Sequence, residues 1–142
     1  MDFSEQNPPV MAPRVGYSKR SRLDKLGVKD GMRVAILDVN DSFIRHELAE
    51  RTADVSEGRA KKDTHMILFG VEDAKGLARL PALAKMIRRD GCIWAVWTKG
   101  RKEFREDDIR AFALAHDLVD VKVMAFSETL SGLKLVIPVA KR

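Results

Sequence analysis

The chain predicts an α/β fold: a mainly parallel sheet with helices on both faces and a C-terminal antiparallel hairpin. Three observations carry this reading. Short apolar runs without polar alternation recur at residues 34–37, 66–69 and 92–97, the pattern of strands covered on both faces. Stretches with apolar residues three and four apart separate these runs. Two alternating segments close the chain around a turn-forming stretch, residues 128–132.

The stretch LDKLGVKDGMRVAILD, residues 23–38, opens the fold. Ser18 or Ser21 can cap a short helix that carries Leu23 and Leu26, and Gly27 suits a left-handed stop. Asp30-Gly31 then turns the chain into a strand over residues 33–38. After that strand Asp41 or Ser42 caps a helix running to about Arg51, with Phe43, Ile44 and Leu48 available for burial. A polar segment, residues 52–63, holds one short strand near residues 53–55. The second buried strand, residues 66–69, is closed by Gly70. Asp73 opens a helical stretch in which Leu77, Leu80, Leu83, Ala84 and Ile87 recur, and Pro81 starts a second helical segment because proline is tolerated only in a first turn. Asp90-Gly91 ends that stretch. The third buried strand, residues 92–97, leads into a basic loop over residues 98–104. A helix follows whose first turn holds Glu106, Asp107 and Asp108, carboxylates that meet the positive end of its dipole. Ile109, Phe112, Ala113 and His116 share one face of that helix. Residues 121–126 and 133–139 form the hairpin, which must add an antiparallel edge to a sheet wound by right-handed crossovers.

Length and composition bound the rest. At 142 residues and 45% hydrophobic the chain suits one core, with residues 1–15, which hold Pro8, Pro9 and Pro13, as a flexible tail and residues 16–142 as one domain. The single cysteine, Cys92, lies in an apolar run and reads as core. One cysteine, no secretory leader and no apolar run near the length of a bilayer span indicate a cytoplasmic protein without a membrane segment. The formal charge of +5 is distributed over three basic knots (Arg59, Lys61 and Lys62; Arg88 and Arg89; Lys99, Arg101, Lys102 and Arg105) with acidic residues between them. Without an aromatic RNA-binding motif, zinc-finger spacing or helix-turn-helix, this reads as solvated surface, and nucleic acid is not the expected partner.

Ligands of open α/β sheets collect beyond the carboxyl ends of the strands. The candidate ligand-binding residues are therefore Asp38, Asn40, Asp41 and Ser42 after the first strand, Glu72 and Asp73 after the second, and Trp97, Thr98, Lys99 and Arg101 at the end of the third. Each has a competing structural role: Asp38, Asp41 and Asp73 as helix caps, Trp97 as core, and the cations as an exposed loop. Trp94 and Trp97, three apart in a strand, point to opposite faces. His46, His65 and His116 lie in separate elements, so no metal site is expected. No serine sits in a G-x-S-x-G elbow. Glu128 and Ser131, in the hairpin turn, either serve function or shape the turn.

The order of elements, the LGVKDGMRVAILD opening, the DGCIWAVW strand and the closing hairpin resemble an abbreviated class I S-adenosylmethionine-dependent methyltransferase, a Rossmann-like fold, over residues 23–139. More narrowly, GYS at residues 16–18, KLGVKDGMRV at 25–34 and SETLSGLKLVIP at 127–138 resemble a family of small bacterial proteins of unknown function with that topology. The resemblance implies an acidic residue at the end of the first strand, matched by Asp38, followed by a G-x-G turn that lets the backbone approach the cofactor. Here Asn40 and Ser42 stand where those glycines would be, and their side chains restrict that approach. It also implies a ribose-binding acid at the end of the second strand, for which residues 52–63 offer no clear counterpart. The expectation is a non-catalytic or degenerate methyltransferase-like module that binds a small ligand or a protein. The alternatives are an S-adenosylmethionine-dependent methyltransferase with a nonstandard turn and, behind it, a nucleic-acid-binding protein. A homodimer is one way to cover apolar surface that so short a sheet leaves open.

Overall fold

The computed structural model describes residues 21–142. The expected tail, residues 1–15, and the GYS motif with Ser18 lie outside the described residues. The first element is α1 (Arg22–Leu26), capped by Ser21, whose Oγ accepts from the Asp24 amide at 3.1 Å, and stopped by Gly27 at φ 92°. Left-handed backbone of this kind carries a steric cost for residues with a Cβ, which is why glycine is found there. The chain continues through β1 (Val34–Leu37), α2 (Ile44–Ala49), β2 (Val55–Glu57) and β3 (Thr64–Gly70). It then forms α3 (Ala74–Leu77), α4 (Leu80–Ala84), β4 (Ile87–Thr98), α5 (Glu106–Ala115), β5 (Val119–Ala125) and β6 (Leu130–Val136), with a last 3-10 turn at Val139–Lys141.

These strands form one sheet in the order β2-β1-β3-β4-β6-β5. The four strands from β2 to β4 are parallel, and β6 runs antiparallel to both β4 and β5. The expected fold class is therefore present, but the single reversed strand lies inside the sheet, with β5 at the edge. Alternation along each strand splits the core into two layers. Val34, Ile36, Leu68 and Trp94 pack against Leu23 and Leu26 of α1 and Ile44 and Leu48 of α2. Ala35, Leu37, Phe69 and Trp97 pack on the other face, against Leu77, Leu80 and Leu83 of α3 and α4 and Ile109 of α5. The two tryptophans occupy opposite layers, and Trp94 donates its Nε1–H to the Leu26 carbonyl at 3.0 Å, which ties α1 to the sheet.

Three boundaries differ from the sequence reading, each for a physical reason. Phe43 is 71% exposed. The Asp41 carboxylate accepts from the Phe43 and Ile44 amides at 2.9 and 3.1 Å, so the helix begins at Ile44 and Phe43 faces water at its entrance. Ile87 does not continue a helix; α4 ends at Ala84, and residues 87–91 already belong to β4. Pairing there jumps from Thr64 opposite Ile87 to Met66 opposite Cys92, so residues 88–91 bulge out opposite His65 alone. Gly91 allows this bulge, because a Cβ there would stand 2.8 Å from the His65 carbonyl oxygen. Finally, Ser131 and Gly132 lie within β6 and not in the hairpin turn. A Cβ on Gly132 would stand 3.1 Å from the Trp94 ring, so this glycine makes room for the indole, while Ser127 shapes the turn by accepting from the Thr129 and Leu130 amides.

Candidate functional site

The carboxyl ends of β1, β3 and β4 frame a cleft of about 320 Å³. Asp38, Val39 and Asn40 line it from the first strand, Gly70 and Glu72 from the second, Val96, Thr98 and Arg101 from the third, and Leu130 of β6 closes one side. Of the ten residues proposed from sequence, the structure thus brings five together here: Asp38, Asn40, Glu72, Thr98 and Arg101.

The turn after β1 is built without glycine. Asp38 itself takes the left-handed conformation, at φ 58°, an excursion that aspartate tolerates better than most residues. The glycine lies instead on the neighbouring strand. A Cβ added to Gly70 would meet the Asp38 carbonyl oxygen at 2.0 Å and its carbon at 2.6 Å, so the turn is seated directly on the end of β3. The Asp38 carboxylate reaches Arg79 Nη1 at 3.1 Å, and that guanidinium lies over the Phe69 ring at 5.7 Å.

Asp41 serves the frame of the cleft. Besides accepting from the two α2 amides, it is held by both terminal nitrogens of Arg22, at 2.5 and 3.2 Å. The same guanidinium bonds Glu47 and the Phe126 carbonyl and lies 4.8 Å from the centre of the Phe126 ring. Arg22 therefore pins α1, the β1 turn, α2 and the β5–β6 turn to one another. The Asp41 side chain is only 7% exposed. Burial by itself would raise its carboxyl, but Arg22 and the Phe43 and Ile44 amides outweigh that cost and hold it below the usual carboxylate range. Arg22 did not stand out in sequence, since a lone arginine in a helix carries no motif. Ser42 is exposed and lines no part of the cleft.

Glu72 locks the third side. Its carboxylate accepts from the Thr98 amide at 3.1 and 3.2 Å, from the Thr98 hydroxyl at 2.9 Å and from Arg101 Nη1 at 2.8 Å. Arg101 also bonds the Glu72 carbonyl at 2.8 Å. Three of the proposed binding residues are therefore bound to one another. A second hollow, of about 510 Å³ over Leu77, Phe104 and Phe112, also has Glu72 and Arg101 in its lining, so this pair is the wall between the two. Asp73 borders the second hollow and caps α3 through the Gly76 amide at 2.7 Å. Trp97 lies in the layer covered by α3, α4 and α5, 5% exposed, because strand alternation points it away from the face that Val96 and Thr98 present. Lys99 is exposed beyond the cleft, its amide bonded to the Thr129 carbonyl at 2.9 Å.

Glu57, like Arg22, escaped the sequence reading. The short strand β2 runs two residues further than its predicted position and ends in Glu57, parallel to β1 with Glu57 beside Ile36. An acidic side chain thus does stand at the end of the second parallel strand, where it pairs with Arg45 of α2. The signal was present in Glu57-Gly58, since Gly58 leaves the strand at φ 84°. Among the described residues no three of His, Cys, Asp and Glu are grouped as a metal site, and no helix is long and apolar enough to cross a membrane.

Comparison with protein families and with curated proteins found no match. Solved structures do match. Magnesium protoporphyrin IX methyltransferase (ChlM) from Synechocystis PCC 6803, with bound S-adenosylmethionine, aligns at TM-score 0.61 and 13% identity over 82% of this chain and 74% of its own. A ribosomal protein L11 methylase from Lactobacillus delbrueckii subsp. bulgaricus aligns at TM-score 0.54 and 10% identity, again over 82% of this chain and 74% of its own. The wound parallel sheet, the reversed β6 and these alignments together give the chain the Rossmann-like fold of the class I S-adenosylmethionine-dependent methyltransferases.

Proposed function

We propose that this chain is a non-catalytic, degenerate member of the methyltransferase-like fold, acting in the bacterial cytoplasm as a binding module for a small polar ligand held at the carboxyl edge of the sheet. The observation that carries this reading is the β1 turn. Its backbone is seated on Gly70, and Asn40, which lines the cleft, occupies a position where a glycine would admit an adenosyl group. The cleft, at about 320 Å³, lies at the small end of the range for ligand pockets. Its charges are balanced within the protein, Asp38 on Arg79 and Glu72 on Arg101, so no carboxylate stands unpaired to take a proton from a substrate. What remains for a ligand is hydrogen bonding, through the Asn40 amide and the Thr98 hydroxyl oxygen, which can accept while its proton goes to Glu72, beside the apolar Val39, Val96 and Leu130.

A second reading, an S-adenosylmethionine-dependent methyltransferase with a nonstandard turn, is favoured by Glu57, an acid placed at the end of β2 to accept from vicinal hydroxyls once Arg45 swings away. The fold neighbour with bound S-adenosylmethionine makes the cofactor a reasonable probe. Isothermal titration with S-adenosylmethionine and S-adenosylhomocysteine separates the readings. The first expects no saturable heat with a dissociation constant tighter than about 1 mM, a binding free energy of about −4 kcal/mol. Micromolar binding that Glu57→Gln weakens would favour the second.

A further inference from the structure

The geometry points to a second functional surface at the opposite, amino-terminal edge of the sheet, shaped for the phosphodiester backbone of duplex nucleic acid. Two basic knots that lie more than twenty residues apart in the chain meet there. Thr64 pairs with Ile87, and its amide bonds the Met86 carbonyl at 3.0 Å, which sets Lys61 and Lys62 beside the start of β4. The β4 bulge then carries Arg88 and Arg89 out of the sheet on the same edge, beside Asp63 and Arg142, around a hollow of about 450 Å³. Bulges of this kind re-aim side chains that a regular strand would pair away. Side chains hold the loop in place: Arg33 Nη1 donates to the Lys62 carbonyl at 2.8 Å, and the Thr64 hydroxyl donates to the Lys61 carbonyl.

The charge on this edge is one-sided. Lys61, Lys62, Lys85, Arg88, Arg89 and Arg142 are all exposed. Facing them are Asp63 and Asp90, and Asp90 is held by Arg88 at 3.2 Å. The neighbouring pairs, Arg33 with Asp54 and Lys141 with Asp117, neutralise themselves. At the cleft edge, by contrast, Asp38, Asp41, Glu57 and Glu72 each hold an arginine. The cleft edge also carries the exposed Lys99, Lys102 and Arg105, but the exposed Glu103, Asp107 and Asp108 stand among them, so the excess of cations is at the end away from the cleft, and such an excess draws polyanions.

The chemistry selects among polyanions. Single-stranded nucleic acid is gripped by exposed aromatic rings, and an anionic membrane by large apolar side chains beside the cations. Among the described residues the one exposed phenyl ring, Phe43, stands at the cleft end at the entrance of α2, and the exposed large apolar residues toward this edge are two separate aliphatic ones, Leu114 in the last turn of α5 and Val139. Lysines and arginines without an aromatic ring among them in the described residues contact phosphates and leave the bases unread.

Fluorescence anisotropy of the full chain with a labelled duplex of arbitrary sequence tests this, across a salt series. Binding at low salt should weaken with a slope of log affinity on log salt of about −3, as expected for three or four neutralised phosphates. Lys61→Glu with Lys62→Glu, and separately Lys85→Glu with Arg89→Glu, should each lower affinity at low salt by about tenfold or more and flatten the slope. Lys99→Glu with Lys102→Glu, on the cleft edge, should leave both nearly unchanged. Thermal unfolding of every variant verifies the fold, and the two double variants on separate elements guard against a folding failure in either. Absence of binding at low salt, equal loss in the Lys99 and Lys102 variant, or tighter binding to phosphatidylserine vesicles than to the duplex would overturn the proposal. None of these outcomes depends on what the cleft binds.

Discussion

Gly70→Ala is the sharpest probe of how the cleft is built. A Cβ at Gly70 would lie 2.0 Å from the Asp38 carbonyl oxygen, 2.6 Å from its carbon and 3.1 Å from the Val39 nitrogen, all backbone atoms that no side-chain rotation can clear. To reach the 3.4 Å of ordinary contact that oxygen must retreat by 1.4 Å, which lifts the β1 turn off the end of β3 and drags the Asp38–Arg79 pair with it. Overpacking of this order costs about 1–3 kcal/mol. Alanine recovers a little by restricting the unfolded chain, roughly 0.4–1 kcal/mol, so a net loss of about 1–2 kcal/mol remains. For a chain of this length that corresponds to a drop in Tm of about 4–8 °C. The assay is thermal and urea unfolding followed by circular dichroism, with Gly31→Ala as the control. Gly31 has open space around it but a φ of 76°, so its alanine variant should lose only about 1 kcal/mol, through backbone strain alone. A Gly70→Ala protein that melts within about 2 °C of the parent would refute the close seating of the turn, and with it the argument that the turn excludes an adenosyl group.

Two further outcomes follow from the ionisable groups. Arg22→Met leaves the Asp41 carboxylate, 7% exposed, without its guanidinium, and should cost about 2–3 kcal/mol near neutral pH, less than the loss from a fully buried pair. Because the folded-state pKa of Asp41 lies below the unfolded value of about 3.9, the unfolded chain binds more protons between the two values. The stabilisation is therefore present above about pH 4 and is lost as pH falls through the folded pKa, and urea midpoints should converge for parent and variant on acidification; profiles that stay parallel would refute the assignment. Burial pushes the Cys92 thiol up to about 11, and the residue is 5% exposed. At about pH 8 a disulfide reagent should modify it only as fast as the chain unfolds, whereas urea should expose it at once; rapid reaction in the native protein would contradict its place in the core.

Most of the fold was legible because it rests on local signals. The runs at residues 34–37, 66–69 and 92–97, the Ser21 cap, the Gly27 stop and the Pro81 restart all act over a turn or a strand. The candidate site was legible only as a set of loops. Sequence placed Glu72, Thr98 and Arg101 near one cleft, but their binding to one another depends on β3 and β4 lying side by side. Trp97 and Trp94 were assigned to opposite faces by alternation alone, while the indole's partner, the Leu26 carbonyl, lies in an element that no local rule connects to β4. The bulge at residues 88–91 was hidden because its Asp90-Gly91 pair has the same letters as a helix stop.

By itself, then, the sequence determined most of the strands and helices, where the chain turns, and which loops follow β1, β3 and β4, because periodicity and caps are short-range properties of the chain. Only the tertiary structure decided that β6 inserts between β4 and β5, that Gly70 carries the close approach absent from the β1 turn, that Glu57 ends β2, and that distant lysines and arginines share one edge. Strand order and register are set by contacts between residues far apart in sequence, and those contacts choose which side chains satisfy one another and which are left for a partner.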